Sequence, residues 1–196
     1  KKQITLDLKK ITSKKKNFAN LNFLRPPIIM GILNLTPDSF SDGGKFNNES
    51  KGFRHAIKMF KSGASIIDVG GESTRPGSRG VNIKLEWKRI NKILQLISKK
   101  IPVSLDTRKS EIMEKGIKLG VKIINDVSGL NYDPETINIL KKYKVPFVIQ
   151  HSKGTPETMQ NNPTYNNELL DIYDFFEQKI KFLRSIGIKH NNIIID

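Results

Sequence analysis

The sequence predicts an α/β fold in which helices cover a parallel β-sheet. Short apolar segments typical of strands alternate with longer segments whose apolar residues recur at helical spacing, as expected of repeated βα units. A weak internal repeat supports this prediction, because SGASIIDVGG, LGVKIINDVSG and IGIKHNNIIID each run from a glycine through a short spacer to Ile-Ile and then Asp or Asn. This pattern fits either an open doubly wound sheet or a closed (β/α)8 barrel.

The alternation begins after a Lys-rich N-terminal segment. We assign residues 1–26 to an extension or linker, with ITLDL as a candidate strand, and residues 27–196 to one domain. Continuous apolar runs are typical of strands buried on both faces of a parallel sheet. The predicted strands are 28–33, 65–69, 101–106, 121–126, 146–150 and 192–196.

Five helices are predicted between these strands. Apolar residues three and four positions apart indicate helices over 50–62, 83–97, 109–119 and 166–186, each with one apolar face. A further helix is expected to begin at Pro134 with Asp133 as its N-cap, because aspartate favours that position and proline the first turn. The glycine of each repeat is expected to end a helix.

Composition excludes several functional classes. The 196 residues suffice for one sizeable domain. No apolar run reaches the roughly 20 residues that a membrane span requires. The absence of cysteine excludes thiolate chemistry and fits the reducing environment of the cytoplasm. The net charge is +15, but 27 of the 34 basic residues are lysine, and no run of basic residues interleaves with aromatics as a base-stacking surface would require. We therefore expect no nucleic-acid or membrane partner, although a positive potential would attract an anionic substrate.

Polar residues stand where the predicted strands end. They are Asn34, Asp68, Asp106, Asn125–Asp126, Gln150–His151 and Asp196. Asp and Asn favour turns, which explains two or three of these positions. The carboxyl ends of parallel strands form the ligand-binding face, so the remainder predict a polar site there.

Two loops that follow strands carry further polar groups. GGESTRPGSRG, at 70–80, offers Arg75 and Arg79 as fork-shaped donors for phosphate oxygens. His151, in HSKGTPETM, suits a local hydrogen bond as well as chemistry. The sequence contains no GxGxxG, GxxxxGK[ST], HExxH or GxSxG motif, which argues against the common nucleotide, zinc-protease and serine-hydrolase sites.

Taken in order, NLTPDSFSDGG, DVGGESTRPGS, SLDT, INDVSG and HSKGTPETMQ resemble the motifs of the dihydropteroate synthase family. The resemblance covers about residues 27–196. It implies a (β/α)8 TIM barrel of the pterin-binding type, of which this chain covers roughly the first six strands. It also implies condensation of 6-hydroxymethyl-7,8-dihydropterin diphosphate with p-aminobenzoate, which gives dihydropteroate and pyrophosphate in folate biosynthesis and is inhibited by sulfonamides.

The resemblance assigns roles to particular residues. Asp106, Asn125 and Asp196 would bind the pterin, and Asn34 would be a ligand of the cofactor Mg²⁺. The substrate contacts expected in the two loops are Thr74, Arg75, Pro76, Phe40 and Asp42. Arg75 would lie near the diphosphate and join Asp106 as a catalytic residue, while the loops close over p-aminobenzoate. Ser152 and Lys153 replace a more frequent Met-Gln pair, and their contacts stay open.

The family continues beyond the position of Asp196 with further anion-binding motifs and two more strands. We therefore expect this chain to be C-terminally incomplete, inactive alone, and a cytoplasmic homodimer when complete.

One alternative function is that of a related barrel, such as the folate-binding module of corrinoid methyltransferases, which should lack the SFSDGG and STRPG loops. The other is a non-catalytic partner or a basic nucleic-acid-binding protein, which salt-dependent oligonucleotide binding without pterin binding would reveal.

Overall fold

A computed structural model of the protein describes residues 5, 21, 27–36, 48–73, 78, 80–152 and 164–196. Within these residues one parallel sheet is formed by β1 (Met30–Asn34), β2 (Ile66–Gly70), β3 (Val103–Asp106), β4 (Ile123–Asp126), β5 (Phe147–Ile149) and β6 (Ile193–Ile195). Each strand pairs in parallel with the next one along the chain. A doubly wound sheet reverses its strand order, so this order is that of a barrel wall.

Helices follow the first five strands. They are α1 (Asn48–Lys61), α2 (Ile83–Ile97), α3 (Ser110–Leu119), α4 (Thr136–Tyr143) and α5 (Glu168–Ser185), and a 3-10 turn at His190–Asn192 precedes β6. All five predicted helices are confirmed. The candidate strand ITLDL is not supported, because Thr5, its one described residue, has helical backbone. No helix in the described ranges is long and apolar enough to cross a membrane.

The predicted start of α4 was wrong by two residues. The helix begins at Thr136, and the Oδ1 of Asp133 accepts a hydrogen bond from the Glu135 N–H at 3.0 Å. Its Oδ2 accepts from the N–H of Ser110, the first residue of α3, at 2.8 Å. Burial opposes ionisation of Asp133, but these bonds hold its pKa below the usual value. Asp133 therefore stabilises the N-termini of two neighbouring helices rather than one.

The sheet separates two apolar regions. Side chains that point outward, such as Ile67, Leu105 and Phe147, pack against the helices in the main core. Three that point inward, Ile66, Ile123 and Val148, form a smaller cluster with Leu21. Because side chains alternate along a strand, the next inward positions above this cluster lie at the mouth of the barrel wall.

Glycines end three of the helices, as the internal repeat predicted. Gly63, Gly120 and Gly187 have φ of 109°, 104° and 91°. The N–H of Gly120 donates to the carbonyls of Gly116 and Ile117, which satisfies the end of α3. Helix α4 ends at Lys144, which has left-handed backbone with φ of 53° although it is not a glycine.

We expect Gly120→Ala to lower the free energy of unfolding by about 1 kcal/mol, because a Cβ is unfavourable in left-handed backbone. Steric overlap does not contribute, since the added Cβ would meet the Ser98 carbonyl oxygen at an ordinary 3.5 Å. Urea unfolding measures the change. Lys144→Gly is the matched control and should not destabilise, because it relieves the same backbone strain; equal losses in both variants would contradict this account.

Candidate functional site

Three of the predicted site residues lie in one row across the mouth of the barrel wall. The strand register pairs Asn34 with Gly70, Gly70 with Asp106, and Asp106 with Asn125. Directly paired residues of neighbouring strands share a face of the sheet. The row therefore carries an amide, a gap at the glycine, a carboxylate and a second amide.

Gly70 keeps the middle of this row open. A Cβ built on Gly70 would lie 3.2 Å from the Oδ2 of Asp106 and 3.3 Å from the Oδ1 of Asn34. Any larger side chain would fill the space between these two oxygens. The row is thus shaped so that a carboxylate and an amide oxygen approach the same small volume from two strands.

Asp68 lies one inward position below the row and was missing from the predicted substrate contacts. Its Oδ2 accepts a hydrogen bond from the Nδ2 of Asn125 at 3.2 Å. This bond fixes the orientation of the Asn125 amide and leaves its Oδ1 to accept from another donor. The polar strand end had signalled Asp68 in the sequence, although only the structure shows that it contacts Asn125.

The carboxylates of buried Asp68 and half-buried Asp106 raise each other's energy when both are charged. Burial raises the pKa of Asp106 well above its usual value, and repulsion from Asp68 and Glu86 adds to the rise. Burial also raises the pKa of Asp68, against the opposing effects of the neighbouring Ser104 hydroxyl and of the hydrogen bond from Asn125. Among the described residues, neither Asp68 Oδ1 nor Asp106 Oδ1 has a hydrogen-bond partner. Such oxygens are poised to accept N–H donors or a proton.

Asp196 lies at the same edge of the sheet but two strands from Asn125. Its N–H donates to the Ile149 carbonyl at 3.1 Å, and its carbonyl accepts from the His151 N–H at 3.3 Å. The pairing of β5 and β6 thus extends to Asp196, whose side chain is exposed. It shares the mouth with Asp106 without contacting the row.

Two other polar strand ends have structural roles. Asp126 Oδ1 accepts from the N–H and the hydroxyl of Ser128 at 2.8 and 2.6 Å, so it stabilises the turn after β4. The His151 ring packs edge-on against Phe175, with centroids 4.9 Å apart, and lies 5.9 Å from Tyr165. This aromatic packing favours the local role for His151 over chemistry.

The remaining predicted contacts lie outside the described residues. They are Phe40, Asp42, Thr74, Arg75 and Pro76, together with Arg79, the second donor suggested for phosphate oxygens. For the part of the chain that is described, no group of three or more His, Cys, Asp or Glu side chains could hold a metal ion. Asn34, the predicted metal ligand, brings a single amide oxygen to the row.

Comparison with known proteins gives a consistent result. The sequence profile described as pterin binding enzyme matches residues 30–196. The dihydropteroate synthase of Synechocystis is 39 % identical over 170 residues, or 86 % of this chain, and that of Bacillus subtilis 38 % over 178 residues, or 90 %. This chain spans 59 % and 60 % of those two relatives.

Solved structures of dihydropteroate synthases are also similar to this chain. A Yersinia pestis dihydropteroate synthase with a sulfonamide drug complex superposes with a TM-score of 0.82 at 36 % identity, over 90 % of this chain and 64 % of that one. The Xanthomonas albilineans dihydropteroate synthase with 4-aminobenzoic acid gives 0.80 at 32 % identity, over 88 % and 62 %. The fold is thus the predicted TIM barrel, represented here by six of its strands. The strand order, the polar row at the mouth and these matches together show that the chain belongs to the pterin binding enzyme family.

Proposed function

We propose that the complete protein is a dihydropteroate synthase, which joins 6-hydroxymethyl-7,8-dihydropterin diphosphate to p-aminobenzoate and releases pyrophosphate. The observation that carries this proposal is the row of Asn34, Asp106 and Asn125 around the open position at Gly70. The curated relatives named above support it, since they are dihydropteroate synthases. Residues 27–196 would form the barrel and residues 1–26 an extension.

The chemistry of the row matches the edge of a pterin. A pterin presents adjacent N–H donors and ring acceptors, and a buried carboxylate binds paired N–H donors well. The Oδ1 of Asp106 lacks a partner among the described residues, and the Oδ1 of Asn125 is left free for a donor by the bond from Asn125 to Asp68. Asp196 would add a third contact from β6.

Mg²⁺ fits this site only together with the substrate. Asn34 offers one hard oxygen close to the row, and the described residues include no cluster of His, Cys, Asp or Glu that could complete a coordination shell. Mg²⁺ commonly takes one or two protein oxygens and completes its shell with phosphate oxygens and water. When bound with the diphosphate, it would stabilise negative charge on the departing pyrophosphate.

The reaction breaks the bond between the pterin methylene carbon and the diphosphate oxygen and forms a bond from that carbon to the amine nitrogen. Positive charge develops on the pterin as pyrophosphate leaves with the bonding electrons. Ionised Asp106 would stabilise that charge at close range in a buried site. Arg75 would bind the diphosphate, and the amine would release a proton after attack.

The family resemblance also implies the other substrate contacts and the oligomeric state. Pro76, Phe40 and Asp42 would enclose p-aminobenzoate between the loops that follow β1 and β2, and Thr74 would be a further contact to substrate. The complex of the Xanthomonas albilineans relative with 4-aminobenzoic acid supports a site for this substrate. A homodimer in the cytoplasm completes the proposal.

Asp106→Asn tests the proposed function. We expect kcat of the complete protein to fall by about 100-fold or more, because the variant cannot stabilise charge that develops only in the transition state. KM for p-aminobenzoate should change by less than about threefold, since Asp106 faces the pterin. Pyrophosphate release and dihydropteroate formation provide the two rates. Unchanged turnover would remove Asp106 from the mechanism, and a wild-type protein without activity would refute the proposed function.

The same variant should be more stable than the wild type at neutral pH. Because the folded-state pKa of Asp106 is raised, its ionisation opposes folding once the pH exceeds the unfolded-state value of about 3.9. The gain in Tm should therefore vanish near pH 3.5, grow as the pH rises, and become constant above the folded-state pKa. For a chain of this size 1 kcal/mol corresponds to about 2–4 °C. Thermal unfolding from pH 3.5 to 8 measures the difference; a gain independent of pH would contradict this assignment.

A further inference from the structure

A buried cluster of four charged side chains lies behind the polar row, and the proposed reaction uses none of them. Its members are Glu72, Glu86, Arg108 and Lys109, all buried. Two carboxylates face two cations, so the cluster is balanced in charge. Buried ion pairs often stabilise a fold less than apolar packing would, which raises the question of what this cluster contributes.

Glu72 joins two distant points of the connection between β2 and α2. Its Oε1 accepts hydrogen bonds from the Val81 N–H at 2.7 Å and from the Lys109 Nζ at 2.9 Å. Its Oε2 accepts from the Arg108 Nε at 2.8 Å. Burial opposes its ionisation, but these bonds lower the pKa of Glu72 below its usual value. One carboxylate therefore holds the start and the end of the segment 72–81.

The same cluster fixes the turn that follows Asp106. Glu86, in the first turn of α2, accepts from the Thr107 hydroxyl at 2.6 Å and from the Lys109 Nζ at 2.5 Å. Lys109 thus bridges Glu86 and Glu72. Because Thr107 is bonded to Asp106 through the chain, any shift of this turn would move the carboxylate of the polar row.

Two further contacts extend the network. The Ser78 hydroxyl donates to the Ser73 carbonyl at 2.6 Å, which draws together the two sides of the segment 73–78. The Arg108 guanidinium lies 4.0 Å from the centre of the Tyr132 ring, so the loop after β4 is attached as well. The loops that follow β2, β3 and β4 therefore all contact this one cluster.

We propose that Glu72 is a positioning residue that holds the ends of the segment 72–81 in a fixed relation to Asp106. The proposal rests on the proposed function, because that segment carries Thr74 and Arg75, two of the expected substrate contacts. Hydrogen bonds are directional, so a buried ionic cluster can specify one geometry where apolar packing would allow several. Fixed placement of reacting groups lowers the barrier to reaction.

Two substitutions separate geometry from charge. Glu72→Asp keeps the charge but shortens the side chain by one methylene, so it cannot reach Val81, Arg108 and Lys109 together. Glu72→Gln keeps the length but leaves a buried cation without its counter-charge. Glu114→Asp is the matched control, because Glu114 also accepts from two side chains, Lys142 and Tyr143, but lies on the surface between α3 and α4.

For Glu72→Asp we expect kcat of the complete protein to fall by about tenfold or more, while KM for the dihydropterin diphosphate changes by less than about threefold. Trypsin should cleave after Arg79 about tenfold faster than in the wild type, because Gly80 and Val81 lose their anchor. Glu114→Asp should match the wild type in both assays. Glu72→Gln should also lose turnover, with a larger loss of Tm than Glu72→Asp.

Wild-type turnover and wild-type trypsin resistance in Glu72→Asp would overturn the proposal, because charge balance alone would then be sufficient. If Glu72→Gln does not fold, the charge-conserving variant Glu72→Asp still tests whether Glu72 positions the segment. If the wild type itself forms no dihydropteroate, the proposed function fails, and the trypsin comparison alone decides whether Glu72 anchors the segment.

Discussion

The burial of two carboxylates that lack enough partners is the interaction on which the site depends. Asp68 and Asp106 lie inside the barrel wall, and each has an oxygen that accepts no hydrogen bond from the described residues. Such groups oppose folding when they are ionised. The apolar cluster below them and the core around the sheet offset that cost. A ligand that brings N–H donors to Asp106 would reduce that cost, which links the cost of burying this carboxylate to ligand binding.

The ionic cluster behind the row shows the opposite arrangement. Glu72 and Glu86 are as deeply buried as Asp68, yet Arg108 and Lys109 satisfy both of them. The paired carboxylates of Glu72 and Glu86 therefore contact the loops that follow β2 and β3. The carboxylates of Asp68 and Asp106, which have no cationic partner among the described residues, lie on the inner side of the sheet near the mouth. This contrast distinguishes positioning groups from binding groups within the same few turns of chain, because a satisfied carboxylate has little left to offer a ligand.

Sequence patterns predicted the strands, the helices and most of the row, because each depends on local chemistry. Apolar spacing located α2 to the residue, and polar strand ends identified Asn34, Asp106 and Asn125. The ion pair of Glu72 with Lys109 was not predictable, since it joins residues 37 positions apart. Asp126 and Asp106 also look alike in sequence. Only side-chain direction shows that the first stabilises a turn and the second faces the mouth.

We propose that Asp106 and Asn125 bind the edge of a pterin. A crystal structure of the complete protein with 6-hydroxymethylpterin tests it most directly. We expect ring or amino N–H groups at about 2.7–3.2 Å from Asp106 Oδ1 and Asn125 Oδ1, with the Asn125–Asp68 hydrogen bond retained. A pterin bound elsewhere, or one in the mouth whose donors avoid both side chains, would contradict it.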